Sequence, residues 1–391
     1  MALAASRLPT VLALGLAQTL AWASSYYLPA ILAMPMAHEL GVGSSTVFAA
    51  FSVGLVLSAF LGPRAGRAID TLGGRPVLAL SNGVFAAGLM GLGMCSGIWG
   101  LFAAWALMGV GMSIGLYEAA FAALVRLYGH ASRNPITGIT LLAGFASTVG
   151  WPLSSTLLAA VGWRETCFVW AALHLLLGLP LNLLLPRASG PQPHVPEIIP
   201  VAAQEPLPRE VPLRSALLLA WVFAVTWFIS TAMAAHLPVL LKAAGVGLSA
   251  AVFAGAMIGP AQVAGRVLEF GVLRRAHPLL SARLAAALHP LAAAALMVAG
   301  APAALAFAML HGAGNGILTI AKGTLPLALF GPQGYGERQG LLMVPARLAQ
   351  AASPWLFGLA VERWGTGSLW LSTVLGLSAL AALCLLHPAA D

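Results

Sequence analysis

Long apolar stretches alternate with short polar breaks along almost the whole chain of 391 residues. A hydrocarbon core about 30 Å thick is crossed by roughly 20 apolar residues in a helix. By that measure the pattern predicts twelve membrane-spanning segments, numbered in chain order as spans one to twelve: 8–34, 44–69, 76–97, 99–128, 135–161, 164–186, 214–241, 248–270, 280–300, 302–330, 340–361 and 366–387. Prolines inside the spans predict helix kinks at Pro29, Pro152, Pro238, Pro326 and Pro354.

Residues 187–213 interrupt this pattern between spans six and seven. They contain seven prolines and no sustained apolar period, which is typical of an extended linker. The linker divides the chain into two bundles of six spans each, residues 1–186 and residues 214–391.

A short motif is repeated in the two halves. Gly66-Arg67-Ala68-Ile69-Asp70 at the end of span two returns as Gly265-Arg266-Val267-Leu268-Glu269 at the end of span eight, 199 residues later. A Gly-Pro pair precedes each copy. Two similar membrane halves around a polar path are typical of secondary transporters.

The composition indicates a chain solvated by lipid. Hydrophobic residues make up 60% and charged residues 8%, with a mean hydropathy of +0.91. A water-soluble chain has about 25% charged residues. We therefore expect a lipid bilayer around this protein and no nucleic-acid partner.

The arginines predict the orientation in the membrane. If the N-terminus is cytoplasmic, fourteen arginines lie at cytoplasmic ends and loops, and only Arg164, Lys242 and Arg363 lie outside. Such a bias follows the positive-inside rule. It predicts cytoplasmic N- and C-termini and a cytoplasmic linker. Arg7 and the apolar residues after it also imitate a cleaved signal peptide, but apolar sequence continues to Met34, which favours a retained span.

Residues for metal, cofactor or enzyme chemistry do not cluster in the sequence. The three cysteines lie in apolar spans at unrelated spacings, and the histidines show no ligand spacing. No phosphate-binding glycine loop is present, so nothing indicates transport driven by ATP. We expect no metal site, no cofactor and no enzyme activity.

The segment from Gly66 to Arg75 resembles the loop signature of the major facilitator superfamily, Gly-x-x-x-Asp-Arg-x-Gly-Arg-Arg/Lys. Gly66, Asp70, Gly73 and Arg75 match it, whereas Thr71 and Gly74 replace two arginines. The resemblance implies an all-α membrane fold of twelve helices in two pseudo-symmetric six-helix bundles. It also implies transport by alternating access, with spans one, four, seven and ten around the central path.

Other positions bear on the substrate class. Gly109-Val110-Gly111, the turn from Arg133 to Gly138 and Gly162-Trp163-Arg164 resemble bacterial relatives of the monocarboxylate-transporter group. Trp105 and Trp151 stand where proton-coupled drug antiporters carry an arginine and part of a Gly-Pro motif. The likeness implies a small organic anion, such as a monocarboxylate, as substrate. The alternative is proton-coupled efflux of a drug or a metalloid such as arsenite.

Three charged residues stand out because they are predicted near mid-membrane depth: Glu118, Lys322 and Arg347. A charge at mid-membrane costs about 2.5–3.5 kcal/mol by insertion scales. One interpretation is a structural ion pair between Glu118 and Lys322. The other gives Glu118 a proton-carrying role and assigns Lys322 or Arg347 to an anionic substrate group.

Aromatic and polar side chains near the middle of the spans are the remaining candidates for substrate contact. They combine apolar walls with a few hydrogen-bonding groups, as small-molecule sites do. The alternative is that the aromatic residues only pack. The candidates are Gln18, Trp22, Tyr26, Ser147, Trp151, Trp227, Thr231, Asn315 and Gln350.

Charged residues at the predicted cytoplasmic ends of spans two and eight are candidates for gating: Arg67, Asp70, Arg75, Arg266 and Glu269. The resemblance implies that the acidic positions pair with a helix N-terminus or an arginine of the other half. The alternative is that they are ordinary helix-end charges. The sequence thus predicts a monomeric transporter of the bacterial inner membrane, coupled to protons by symport or antiport.

Overall fold

The computed structural model describes residues 7–187 and 212–387. The predicted linker 187–213 therefore lies outside the described residues, apart from its ends. The described residues form helices joined by short turns and no strand. This confirms the predicted all-α class.

The helices follow the predicted spans closely. In the first half they are Arg7–Ser24, Pro29–Glu39, Ser44–Leu72, Gly74–Met94, Ile98–Gly115, Tyr117–Tyr128, Arg133–Ala143, Ala146–Val161, Trp163–Leu173 and Leu179–Leu183, with a 3-10 helix at Gly129–Ser132 and a π-helix at His174–Gly178. In the second half they are Leu213–Ala243, Leu248–Gly271, Pro278–Ala299, Ala304–Phe330, Tyr335–Trp364 and Ser368–Leu385, with 3-10 helices at Leu273–Arg275, Ala301–Ala303 and Gly365–Gly367.

Nine helical stretches within the described ranges are long and apolar enough to cross a membrane. Two of them, 98–161 and 335–385, each contain two predicted spans. Span one is interrupted at residues 25–28 and so falls outside the nine. Together these segments account for the twelve predicted spans.

Three spans of the first half are broken near their middle, and proline does not explain all the breaks. Pro29 begins the second helix of span one, but span four breaks at Leu116 and span five at Gly144 and Phe145. The other prolines for which kinks are predicted lie inside uninterrupted helices, at Pro152, Pro238, Pro326 and Pro354. The breaks matter because they expose helix ends near the middle of the bundle.

Each half has its own apolar core, and corresponding helix pairs approach through glycine. A Cβ atom on Gly54 in span two would lie 2.6 Å from the carbonyl oxygen of Trp105 in span four. In the second half, a Cβ on Gly265 in span eight would lie 2.5 Å from the carbonyl oxygen of Ala313 in span ten. Small residues permit such close helix packing in membranes. The duplication read from the sequence is therefore repeated in the packing.

The two halves are joined at one end of the bundle, which we call the arginine-rich end because it carries Arg67, Arg133, Arg274 and Arg338. There Gly66 of span two lies so close to Gly336 of span eleven that a Cβ on Gly66 would be 1.9 Å from the Gly336 carbonyl oxygen. Within residues 7–187 and 212–387, every hydrogen bond between the halves lies at this end or at the middle of the bundle. The structure is closed at the arginine-rich end.

We expect Gly66→Ala to prevent this closure, because the added methyl group occupies the space of the Gly336 carbonyl. Nitroxide labels are attached to cysteines introduced by Leu72→Cys and Gln333→Cys, one on each half, and report the distance across the arginine-rich end. The exposed Cys384 is first replaced by serine so that it is not labelled. Gly66→Ala lengthens the main distance, measured by double electron–electron resonance. Gly83→Ala, where a Cβ meets nothing within 4 Å, leaves it unchanged. An unchanged distance in Gly66→Ala contradicts this account of closure.

Candidate functional site

Aromatic rings from both halves meet near the middle of the bundle. The indoles of Trp22 in span one and Trp227 in span seven are stacked, with ring centroids 6.3 Å apart and an interplanar angle of 7°. Tyr117 lies 4.9 Å from Trp22, and Tyr26 contacts both indoles. The structure thus brings together Trp22, Tyr26 and Trp227, as the sequence predicts, and adds Tyr117.

An ion pair also joins the halves at this depth. Arg347 donates from Nη2 to Glu118 Oε2 over 2.8 Å and from Nη1 to Gln350 Oε1 over 3.0 Å. The Arg347 side chain is 3% exposed and Glu118 16%. Glu118 lies in the first turn of the helix that starts after the break at Leu116, where the helix dipole favours a negative charge.

A small polar cavity lies beside this ion pair. Ser58 and Ser113 line it together with Glu118 and Arg347, and its volume is about 20 Å³. A polar cavity of this size is sufficient for one water molecule. The Glu118 carboxylate therefore lies next to a polar space that residues of spans two and four help to line.

Lys322 does not pair with Glu118. Its ammonium lies over the Trp227 ring, 4.1 Å from the centroid, and the Arg347 guanidinium lies 5.2 Å from the same centroid. No ion pair among the described residues includes Lys322. The structure therefore pairs Glu118 with Arg347 and leaves Lys322 with an aromatic ring as its neighbour, a cation–π contact.

Arg266 is a second cation without a carboxylate partner. It is 5% exposed, and its Nε and Nη1 atoms have no hydrogen-bond partner in the described part of the chain. A Cβ on Gly144 would lie 2.0 Å from Nη1, so the glycine at the break in span five makes room for the guanidinium. The positive charge of Arg266 interacts electrostatically with the side chains of Tyr27, Tyr117 and Lys322. Arg266, predicted as a gating residue at the cytoplasmic end of span eight, is thus buried.

Hydrogen-bond donors outnumber free acceptors around these charges. Buried donors that have no acceptor among the described residues are Trp22 Nε1, Trp227 Nε1, Arg266 Nε and Nη1, and Gln350 Nε2. Thr231 Oγ1, which can donate or accept, is also without a partner there. The free acceptors are fewer: Gln18 Oε1, Gln339 Oε1 and Glu269 Oε2. Such an arrangement is suited to a ligand that is rich in acceptors.

The acidic gating candidates contact the opposite half. Asp70 accepts hydrogen bonds from the backbone N–H groups of Gly336 and Glu337, both 2.9 Å, at the first turn of span eleven. Glu269 pairs with Arg133 of span five at 2.9 Å. Arg133 was not predicted as the partner of Glu269. The duplication could have indicated this partner. The start of span five lies against span eight in the same way as the start of span eleven lies against span two.

The basic gating candidates differ from one another. Arg67 forms an ion pair with Glu337 of the other half, a partner that the sequence analysis also missed. Arg75 forms no ion pair or hydrogen bond with the described residues. Arg133 adds hydrogen bonds to the carbonyl oxygens of Leu273 and Ala276. The side chains that join the arginine-rich end therefore include Arg67 and Arg133 but neither Arg75 nor Arg266.

Four other predicted substrate contacts form no hydrogen bond with the ion pair. Gln18 donates to the carbonyl oxygen of Gly115 over 2.6 Å and so packs within the first half. Trp151 is 43% exposed and donates to the carbonyl oxygen of Tyr27 over 3.3 Å. Ser147 is half-buried. Asn315 lines a separate cavity of about 30 Å³, beside the hydrogen-bonded rings of His289 and His311.

Comparison with known proteins identifies the family. The family model described as Major Facilitator Superfamily matches residues 14–304. The chain belongs to the major facilitator superfamily. It is accordingly a multi-pass membrane transporter rather than an enzyme, and the resemblance seen in the Gly66–Arg75 segment is confirmed.

Solved structures of superfamily members share the fold. The human organic anion transporter MFSD10 (TETRAN) is 19% identical, with a TM-score of 0.71 over 97% of this chain and 99% of that one. The proton:xylose symporter XylE, bound to 6-bromo-6-deoxy-D-glucose, is 13% identical, with a TM-score of 0.74 over 98% and 97%. An uncharacterized 38 kDa protein in the 23S RNA operon of Thermoproteus tenax is 30% identical over 161 residues. This match spans 41% of the chain and 42% of that relative's length.

Removing one partner of the Glu118–Arg347 pair is expected to cost more than removing both. Glu118→Ala leaves the buried guanidinium of Arg347 without a carboxylate, which destabilises by about 3–5 kcal/mol. The double variant Glu118→Ala/Arg347→Met recovers most of that loss. The free energy of unfolding in mixed micelles measures the effect, with the exposed pair Glu39–Arg164 as the control, for which we expect a much smaller coupling. If the losses in unfolding free energy of the two single variants add up to the loss in the double variant, the two residues are not coupled and the account is contradicted.

Proposed function

We propose that this transporter moves a small organic anion, such as a carboxylate, through the site between Trp22, Trp227 and Lys322. One observation carries the proposal. Three buried cations, Arg266, Lys322 and Arg347, share one carboxylate, Glu118, which pairs with Arg347 alone. The cluster has an excess of positive charge.

An anionic substrate compensates that excess. Buried charge is stabilised only when it is paired and hydrogen-bonded. Arg347 is already paired, so the substrate carboxylate is assigned to Lys322 and Arg266. Hydrogen bonds from a guanidinium or ammonium to a carboxylate are among the strongest in proteins. The free donors of Trp22 and Gln350 add further hydrogen bonds to substrate oxygens.

The Glu118–Arg347 pair is the proposed point of proton coupling. A substrate anion that binds close to Arg347 competes with Glu118 for its guanidinium. A carboxylate that loses its cation in an apolar site is stabilised by taking up a proton, and the cavity at Ser58 and Ser113 offers a route through one water molecule. Anion binding and proton binding then favour each other, as coupled transport requires.

From the closed arginine-rich end we infer the side of the membrane from which the substrate enters in this conformation. By the positive-inside rule that end is cytoplasmic, so the proposed site is closed toward the cytoplasm and loads from the opposite side. Opening requires the contacts of Asp70 with span eleven and of Glu269 with Arg133 to break together. We propose that the protein works in this way as a monomer in a bacterial inner membrane.

The human fold relative is described as an organic anion transporter, which agrees with the proposal. At 19% identity, that likeness extends only to the fold. The charge pattern of this chain therefore supports the substrate class more directly than the relative does. The alternative substrates, a cationic drug or arsenite, leave the excess positive charge without a partner.

Counterflow in proteoliposomes tests the proposal with labelled lactate, benzoate, tetraphenylphosphonium and arsenite. We expect counterflow of carboxylates only, reduced at least about tenfold by Lys322→Met and by Arg266→Met. The matched controls are Lys242→Met, which changes the chain's other lysine, and Arg363→Met. Both side chains are exposed and far from the site. Glu118→Gln is expected to keep exchange measurable but to lose accumulation driven by a pH gradient. Counterflow of tetraphenylphosphonium or arsenite in place of the acids contradicts the proposal.

A further inference from the structure

The indoles of Trp22 and Trp227 form a parallel pair that bridges the two halves. Their planes differ by 7° and their centroids are 6.3 Å apart. The neighbouring rings are differently oriented, since Tyr117 is tilted by 44° and Tyr26 lies edge-on to both indoles. Among these rings, Trp22 and Trp227 are therefore the two whose planes are parallel, and they come from different halves.

Both indole N–H groups are buried and have no acceptor among the described residues. Trp22 is also 4% exposed. A buried tryptophan normally donates its N–H to a neighbour, and a buried donor without an acceptor is destabilising. Trp105 Nε1 is also without an acceptor among the described residues, but it lies within the first half. The N–H groups of Trp22 and Trp227 belong to rings from different halves, where a bound ligand can supply the acceptor.

A positive charge adjoins the same pair of rings. The Lys322 ammonium is 4.1 Å from the Trp227 centroid and the Arg347 guanidinium is 5.2 Å from it. Thr231, with its unpartnered hydroxyl, lies one helical turn after Trp227. Flat apolar faces, N–H donors and a cation are thus combined within one contact between the halves.

We infer that the substrate is an aromatic carboxylate whose flat ring inserts between Trp22 and Trp227. Its carboxylate binds Lys322 and accepts hydrogen bonds from the indole N–H groups. This inference rests on the proposed anion transport and specifies its substrate class.

The parallel planes of the indoles favour a flat ring. Two layers of aromatic contact at about 3.5 Å each require about 7 Å between the indole planes. Because parallel planes can be no farther apart than their centroids, which are separated by 6.3 Å, the halves must move slightly apart to admit the ring. A saturated ring of the same size is thicker, because its carbons are not coplanar, so it forces the two halves farther apart. Because the indoles belong to different halves, the inserted ring also becomes a contact between the halves that must be broken and remade during transport.

Equilibrium dialysis of the purified full-length protein against labelled benzoate tests this inference. Unlabelled cyclohexanecarboxylate has the same charge and ring size but is not planar, and serves as the matched competitor, with lactate as a ringless one. We expect benzoate to bind at least tenfold more tightly than cyclohexanecarboxylate. Trp22→Leu and Trp227→Leu reduce that ratio below twofold, whereas Trp22→Phe retains part of it. Trp355→Leu, which changes a 69% exposed tryptophan, leaves the ratio unchanged.

The outcomes separate this inference from the proposal on which it rests. If benzoate and cyclohexanecarboxylate bind the unmodified protein equally, and both require Lys322, the ring clamp is wrong and anion transport stands. If the ratio survives in Trp22→Leu and Trp227→Leu, the ring binds elsewhere and the clamp is again wrong. If no carboxylate binds, the proposed function fails together with the inference.

Discussion

A carboxylate from the first half and a guanidinium from the second half meet at 2.8 Å near the middle of the bundle, away from the arginine-rich end. Burial makes both groups costly unless they remain paired, so the halves are held in register at this depth. The break at Leu116 places Glu118 in the first turn of a new helix, and Gln350 supports Arg347. Within the described residues this pair satisfies the one carboxylate of the central cluster, which is why we propose that Lys322 and Arg266 bind the substrate anion.

The duplicated motif performs related tasks with different chemistry in the two halves. Asp70 accepts two backbone hydrogen bonds at the start of span eleven, whereas Glu269 pairs with the Arg133 side chain at the start of span five. Both contacts close the same end of the bundle. Glycine allows the approach at one of them, since Gly66 and Gly336 are nearly in backbone contact. Closure of this end therefore depends on backbone geometry as much as on charge.

Much of the fold could be predicted from the sequence, because hydrophobic length sets the spans and the repeat sets the two halves. The cost of a charge at mid-membrane also marked Glu118, Lys322 and Arg347 as groups that need a partner. It could not give their partners, since those depend on how helices of separate halves rotate and tilt against each other. Arg266 was predicted as a gating residue at the cytoplasmic end of span eight. It is buried, and the glycine at the break in span five, which no proline marks, makes room for its guanidinium. Asn315 shares a face of span ten with Lys322, yet it lines another cavity.

The central claim is that an anion bound close to Arg347 weakens the Glu118–Arg347 pair, so that Glu118 takes up a proton as the anion binds. Proton uptake on ligand binding tests it most directly, measured with a pH indicator in weakly buffered detergent solution as benzoate or lactate is added. The account predicts uptake of protons in proportion to the anion bound, and its loss in Glu118→Gln. Anion binding without proton uptake, or uptake that persists in Glu118→Gln, contradicts it.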